Sequence, residues 1–211
     1  VSAFVPIHDI QYTTDPSGDS LYKDQIVTTE GIVTADFGNN IFIQDGPGAW
    51  NGVMLYSPNG DLNVGDHVRV TGLVKEYYGL TEFAAGANVT ILSSGNPLPD
   101  FSLLSTHNVR QEAYESVLVR VENATVTDDD LGYGEWEIND GSGPVRVDDM
   151  GNYAYTPANG DLLEFLQGPL YYGFGNFKIE PRDDKDIGFS VLNIAKDAPA
   201  QVDPGDIFTY T

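Results

Sequence analysis

The sequence predicts an all-β protein: two tandem OB-like five-stranded barrels plus a C-terminal extended segment. Three observations carry this. Runs rich in Val, Ile and Thr alternate apolar and polar residues, the period of half-buried strands. The 23 Gly and 12 Pro fall mostly between those runs, which favours short strands over long helices. Residues 64–79 and 160–173 follow one scheme: a Gly-Asp turn, an alternating strand broken by Gly72 or Gly168, a Tyr-Tyr pair and a closing Gly. Such a glycine marks a bulge or a sharp bend, which lets a long strand turn a barrel corner.

In chain order, residues 4–11 read as an extended entry segment, and Asp15-Pro16-Ser17-Gly18-Asp19 as a loop. Residues 25–35 form the first strand, by their β-branched alternation. Residues 41–44 and 52–56 follow, separated by Asp45-Gly46-Pro47-Gly48. Residues 64–79 form the fourth strand and residues 87–92 the fifth. Residues 57–64, with Pro58, Gly60 and two Asn, predict a turn where an OB fold usually carries a helix.

Ser93 to Asp100 reads as a linker, and Ser105-Thr106 as the cap of a short helix reaching Ala113. The second unit then retraces the first. Residues 114–127 lie opposite 22–34, and Trp136-Glu137-Ile138-Asn139-Asp140-Gly141 opposite Ile41-Phe42-Ile43-Gln44-Asp45-Gly46. The Gly-Asp strand and residues 175–179 complete it. The expected division is a first barrel at 1–93, linker and helix at 94–113, a second barrel at 114–189, and the start of a truncated β-sandwich repeat at 190–211. A repeat this long indicates a duplicated domain rather than a solenoid.

The formal net charge is −22, and acids outnumber bases in residues 1–105, 106–190 and 191–211 alike. Such a surface repels phosphate backbones and attracts divalent cations. Cysteine is absent, which removes disulfides and thiolate metal sites. No apolar run reaches the length of a membrane span. The chain begins at Val1, and the expectation is a processed or excised piece of an exported protein, extracellular or at the bacterial cell surface.

Several of these runs carry a family resemblance. Ile7-His8-Asp9-Ile10-Gln11, the Val27 to Thr34 strand, Ile43-Gln44-Asp45-Gly46, and Val64-Gly65-Asp66-His67-Val68-Arg69-Val70-Thr71-Gly72 together resemble the tandem OB-fold modules of secreted bacterial nucleases. Tyr114-Glu115-Ser116-Val117-Leu118-Val119-Arg120-Val121 is similar to the strand that opens the second half of those modules. The resemblance covers residues 4–188. It implies a module preceding an endonuclease/exonuclease/phosphatase-type catalytic domain. Residues 192–196 and 202–211 resemble the start of an immunoglobulin-like repeat of bacterial surface proteins, which implies a long exported parent.

No catalytic residue is predicted. His8, His67 and His107 are the only histidines, without metal-ligand spacing between them, and no Gly-x-Ser-x-Gly elbow or phosphate loop is present. The candidate ligand-binding residues are Tyr77, Tyr78, Tyr171, Tyr172 and Phe174, with Arg69 and Lys75 as nearby bases. Neighbours on a strand face opposite ways, so at most one of each Tyr pair is expected to face a ligand. The plainer reading is barrel core with hydroxyl-tipped rims. Asp128, Asp129 and Asp130 are the candidate metal ligands, for Ca2+, in a predicted loop; the plainer reading is a solvated acidic loop.

The function expected is a non-catalytic accessory binding or spacer module of a large exported bacterial protein, partnered by other domains of its parent chain. Two alternatives stand beside it. One is a region that positions single-stranded nucleic acid for a nuclease domain elsewhere in the parent. The other is a carbohydrate or cell-surface adhesion module, for which exposed aromatics in a groove would be the cue.

Overall fold

The computed structural model describes residues 3–189; the expected immunoglobulin-like segment at 190–211 lies outside the described residues. Two sheets each close into a five-stranded ring. In the first, β1 (Ile26–Phe37), β2 (Asn40–Gln44), β3 (Gly52–Tyr56), β5 (Leu80–Phe83) and β4 (His67–Tyr77) run in that order, and β4 pairs back onto β1. The ring is antiparallel except for β3 and β5, which are parallel. In the second, β8 (Leu118–Gly132), β9 (Glu135–Asn139), β10 (Val145–Val147), β12 (Asn176–Ile179) and β11 (Leu162–Gly173) repeat the order and close through β11–β8, with β10 and β12 parallel. This 1-2-3-5-4-1 ring is the topology of an OB-type barrel. Both rings carry an added strand on their fourth member, β6 (Asn88–Ser93) on β4 and β13 (Ile187–Phe189) on β11. Two-residue β7 (Ser102–Leu103) lies parallel to β8.

Alternation explains the closure. Val27 and Val33 of β1, Ile41 and Ile43 of β2, Val53 and Leu55 of β3, and Val68, Val70 and Val74 of β4 fill the first barrel. Val119, Val121, Trp136, Ile138, Val145, Val147, Leu166 and Leu170 do the same in the second. Each fourth strand changes partners midway: β4 leaves β6 after Thr71 and meets β5 from Val74, and β11 leaves β13 after Leu166 and meets β12 from Leu170. The corner glycines sit in those gaps. A Cβ on Gly72 would meet Ala87 Cβ at 2.8 Å, and Gly168 has no room for one against the Glu180 carbonyl. The register of β4 on β1 runs unbroken through Gly72, so this corner is a bend, not a bulge.

Three expectations need correction. Residues 7–11 are not extended: Ile7–Gln11 is one helical turn, α1, with Pro6 before it. The signal was the Ile7/Ile10 spacing, which buries both side chains in the first core while Asp45 Oδ2 accepts the Ile7 N–H. The fifth strand of the first ring is Leu80–Phe83; the run at 87–92 became the added strand β6. The error lay in reading Tyr78-Gly79 as strand when it is a hairpin turn. The helix expected at 105–113 is a single turn, Val109 N donating to Ser105 O, followed by a 3-10 turn at Glu112–Tyr114. Asp140 holds the Thr106 N–H and hydroxyl, so the second barrel overrides helix propensity there. Strand Val145–Val147 had no clear signal at three residues. Residues 57–66 contain no helix.

The barrels are joined over a buried surface. Ala35, Phe42, Met54 and Leu80, on the outer face of the first sheet, form an apolar cluster covered by Tyr171 and Tyr172. Backbone contacts reinforce it. Gln44 Oε1 accepts the Leu118 N–H at 2.7 Å, Ala113 O accepts the Trp50 N–H, and Thr34 O accepts from Arg182 Nη1. Gly52 leaves no room for a Cβ against the Ser116 carbonyl.

A cluster of carboxyls lies within this joint. Glu115 is fully buried, and its Oε1 accepts the Thr81 N–H of β5 at 2.9 Å. Burial, then the neighbouring Glu112 charge, pushes its pKa well above the usual range. Glu112 is pushed up to about 7 by burial, with Glu76 and Asp19 adding repulsion. Glu76 is raised by burial, and its Coulombic neighbours are Asp19 and Lys23. One oxygen each of Glu76, Glu112 and Glu115 is buried without a hydrogen-bond partner.

Two outcomes follow. Gly52→Ala should lower unfolding free energy by roughly 2–3 kcal/mol, read by urea melts, because backbone atoms must part to admit the methyl. The folded-state pKa values of these carboxyls lie above their unfolded values, so folding takes up protons and stability falls as pH rises. For Glu112 the window runs from its ordinary range to about 7. The Tm should therefore drop by roughly 5 °C from pH 5 to pH 8. Glu115→Gln, which keeps the acceptor for Thr81, should flatten that slope. Glu82 and Glu180, raised by burial elsewhere, leave part of it in place.

Candidate binding cleft

Three hairpin turns build the site. Tyr78-Gly79 joins β4 to β5, Phe174-Gly175 joins β11 to β12, and Tyr133-Gly134 joins β8 to β9. Each two-residue turn has positive φ at both positions: 53° and 93°, 53° and 80°, and 59° and 86°. Asn-Gly is the ordinary sequence for such a turn, because the first position is left-handed. Here an aromatic ring occupies it. The three rings are also among the most exposed residues: Tyr78 at 84%, Phe174 at 92% and Tyr133 at 100%. Backbone strain and exposed apolar rings both cost stability, so these positions point to a binding role.

The turns converge. Tyr77, Tyr78, Tyr171, Tyr172 and Phe174 line one cleft of about 340 Å³ between the barrels. A Cβ on Gly79 would meet Tyr172 at 2.9 Å, so the first barrel's turn rests on the second barrel's strand. A second cleft, about 550 Å³, runs from Phe174 to Tyr133 over Arg146, Lys178 and Asp148.

The structure thus gathers five of the seven residues proposed from sequence, and both members of each Tyr pair border the cleft. Tyr78 escapes strand alternation because it belongs to a turn, and the cleft wraps the hairpin ends rather than lying on one sheet face. Register also changes the equivalence. Tyr77 pairs with Leu80 and Gly173 with Asn176, so Tyr78 corresponds to Phe174, not to a member of the second Tyr pair. Lys75 lies apart, in a cleft of about 320 Å³ with Tyr56, Tyr77 and Glu82. Arg69 is on the β1 side of β4, bound to Glu30 at 2.6 Å, and does not line the aromatic cleft. Tyr133 was missed; its Gly-Tyr-Gly setting between β-rich runs was the available signal.

The two barrels treat one face oppositely. Pairing places Phe42 opposite Met54 and Met54 beside Glu82 in the first barrel; Glu137, Arg146 and Lys178 occupy the corresponding positions in the second. The first set includes the apolar pair buried in the joint; in the second, Glu137 and Arg146 are half-buried at the cleft and Lys178 is buried beneath them. Lys178 Nζ donates to Glu135 at 2.5 Å and to Asp148 at 2.8 Å, and lies 5.5 Å from the Phe174 ring centroid. Burial opposes its ammonium form, but the hydrogen bonds to Asp148 and Glu135 prevail and raise its pKa. Glu135 also takes Arg146 Nη1 at 2.5 Å.

Asp128, Asp129 and Asp130 stand on β8, not in a loop, and their side chains do not converge. Asp129 engages Asn159, while Asp128 and Asp130 accept from the Asp130 and Gly132 N–H groups. Among the described residues no three His, Asp or Glu side chains are grouped as metal ligands. No helix among them is long and apolar enough to cross a membrane.

No protein-family model matches this chain, and no curated protein does. Two solved structures align with it at 13% identity and a TM-score of 0.34. One is described as "Structural mimicry for functional antagonism"; the other is the Ifi202 HINa domain in complex with 20bp dsDNA. Each alignment covers 75% of this chain, with 89% and 92% of the respective partner. Similarity of this degree carries nothing about ligand or activity.

The turn geometry makes its own test. Replacing Tyr78, Phe174 or Tyr133 by Asn should raise stability by roughly 0.5–1 kcal/mol each, read as a higher denaturant midpoint, while weakening binding at the cleft.

Proposed function

We propose that this is a non-catalytic binding module of a larger exported bacterial protein, and that it holds an extended polysaccharide in the aromatic cleft. The observation that carries the reading is the convergence of Tyr77, Tyr78, Tyr171, Tyr172 and Phe174 from two barrels onto one groove. Sugar rings present apolar faces that stack on aromatics, and ring hydroxyls pair with the polar groups beside them. The charged floor suits hydroxyls too, since Lys178 is already paired with Glu135 and Asp148, while Arg146 engages Glu135 through Nη1 alone. The acidic surface and absence of cysteine agree with an exported parent. OB-type barrels as a class bind oligosaccharides or oligonucleotides across this face and its hairpin loops.

A second reading, single-stranded nucleic acid, draws on Lys178 beside the Phe174 ring, a stacking platform with a cation under it. Strong phosphate binding needs cations that are not already neutralised, and a net charge of −22 opposes it.

Affinity electrophoresis against a panel of soluble polysaccharides tests the proposal. Wild type should be retarded by at least one, and Tyr78→Ala or Phe174→Ala should weaken retention ~3- to 10-fold each without lowering Tm. The polysaccharide should remain uncleaved after prolonged incubation. Binding to (dT)20 that falls steeply between 50 and 200 mM salt, with no polysaccharide retained, would replace this reading by the second.

A further inference from the structure

A further cleft, about 600 Å³, continues the groove. It shares Gly175 with the aromatic cleft, and Arg146 and Asn176 with the Tyr133–Phe174 cleft. Its walls include His107 and Arg110 from the segment between the barrels, and Glu137 and Arg146 from the second barrel.

Arg110 differs from the other arginines of the described residues. Lys23, Arg69, Arg120, Arg146, Lys178 and Arg182 each meet a carboxylate; Arg110, like Lys75 and Lys185, makes no ion pair among the described residues, and it is the one arginine of these three. With so large an excess of acids, an unneutralised guanidinium in a cleft is not a matter of supply. It is also held in place. Asp140 accepts the Thr106 N–H and hydroxyl, and Ser142 Oγ accepts the His107 N–H. This fastens residues 106 and 107 to the second barrel. Arg110 Nη2 then donates to His107 Nδ1 at 3.0 Å, which leaves His107 Nε2 as that ring's donor. A Cβ on Gly143 would lie 3.3 Å from Arg110 Nη2 and 3.4 Å from His107 Nδ1, so a residue without a side chain makes room for the pair. Across the cleft, Glu135 takes only Nη1 of Arg146.

We infer that Arg110 and Arg146, with His107, form a carboxylate-binding subsite at the end of the aromatic groove, and that the polysaccharide is therefore an acidic one bearing uronate residues. This rests on the binding reading above and narrows it. Guanidinium groups match a carboxylate's two oxygens in geometry as well as charge. The net charge of −22, and Glu137, Glu135 and Asp148 in the same groove, oppose any polyanion, so the ligand that fits is one whose carboxylates are spaced by neutral sugars rather than a nucleic-acid strand with a charge at every nucleotide. A polymer that alternates stacking rings with spaced carboxylates meets aromatics and arginines in turn.

The experiment is calorimetric titration of the full chain with hyaluronan and unsulfated chondroitin, in which uronates alternate with neutral sugars, each beside its carboxyl-reduced, neutral counterpart, and with (dT)20. Arg110→Gln is the diagnostic variant, since Arg110 is exposed and serves no core contact. Tyr78→Ala reports on the groove itself. At least one native uronan should bind about tenfold tighter than its reduced form, and Arg110→Gln should remove that difference while retaining binding to the reduced polymer. Equal binding of native and reduced forms, unaffected by Arg110→Gln but weakened by Tyr78→Ala, would overturn the subsite and leave the groove. Loss of all polysaccharide binding in wild type, or preference for (dT)20, would overturn both.

Discussion

One buried surface sets what this molecule can offer a ligand. The outer face of the first barrel presents Phe42, Met54 and Leu80, and these pack under Tyr171 and Tyr172 of the second. Each such side chain contributes roughly 2 kcal/mol on leaving water. An OB-type barrel ordinarily uses this face for ligands; in the first barrel it is covered by the second. On the second, Glu137, Arg146 and Lys178 hold the matching positions and line clefts, with Lys178 buried at their base. Duplication supplied two equivalent surfaces, and a few apolar-for-charged differences divided them between scaffold and site.

Docking also creates the groove. Gly79 rests on the Tyr172 ring, which brings the β4–β5 turn of one barrel beside the β11–β12 turn of the other. Neither barrel alone would hold Tyr78 and Phe174 on opposite sides of one cleft. The same joint contains Glu76, Glu112 and Glu115, carboxyls whose neutral forms burial favours. Glu76 immediately precedes Tyr77, and Glu115 holds the backbone of Thr81 just beyond the turn. Protonation at the joint and the position of the aromatic turn are therefore connected through one short hairpin.

Much of the fold was legible because its cause is local. Alternation in residues 25–35 and the paired Gly-Asp strands follow from which side chains must face a core. The misreadings arose where the deciding contact is distant. The single turn at residues 105–109 is fixed by Asp140, a residue 34 positions from Thr106. The short strand Leu80–Phe83 exists because β3 and β4 offer it partners. At the site, sequence identified the aromatics but not their geometry. Tyr77-Tyr78 looked like two strand positions, and only pairing with Leu80 shows that the second is a turn residue. Arg69, close in sequence to the aromatics, is spent on Glu30, while Arg110, far from them, borders the continuing groove.

The aromatic turns bear most directly on whether this surface is functional. A solvent-facing hairpin turn with both φ angles positive is filled at least cost by Asn-Gly, and this chain supplies the glycine each time. Chance exposure of one tyrosine would mean little, since isolated surface apolar residues are common. Three turns with an aromatic at the left-handed position, two facing each other across a cleft and the third bordering its neighbour, form a pattern that folding does not explain. The barrels close without these rings, and the joint is sealed by Tyr171 and Tyr172. The role we propose for Tyr78, Phe174 and Tyr133 is a surface for stacking, held on rigid two-residue turns so that a ligand would cost little conformational entropy.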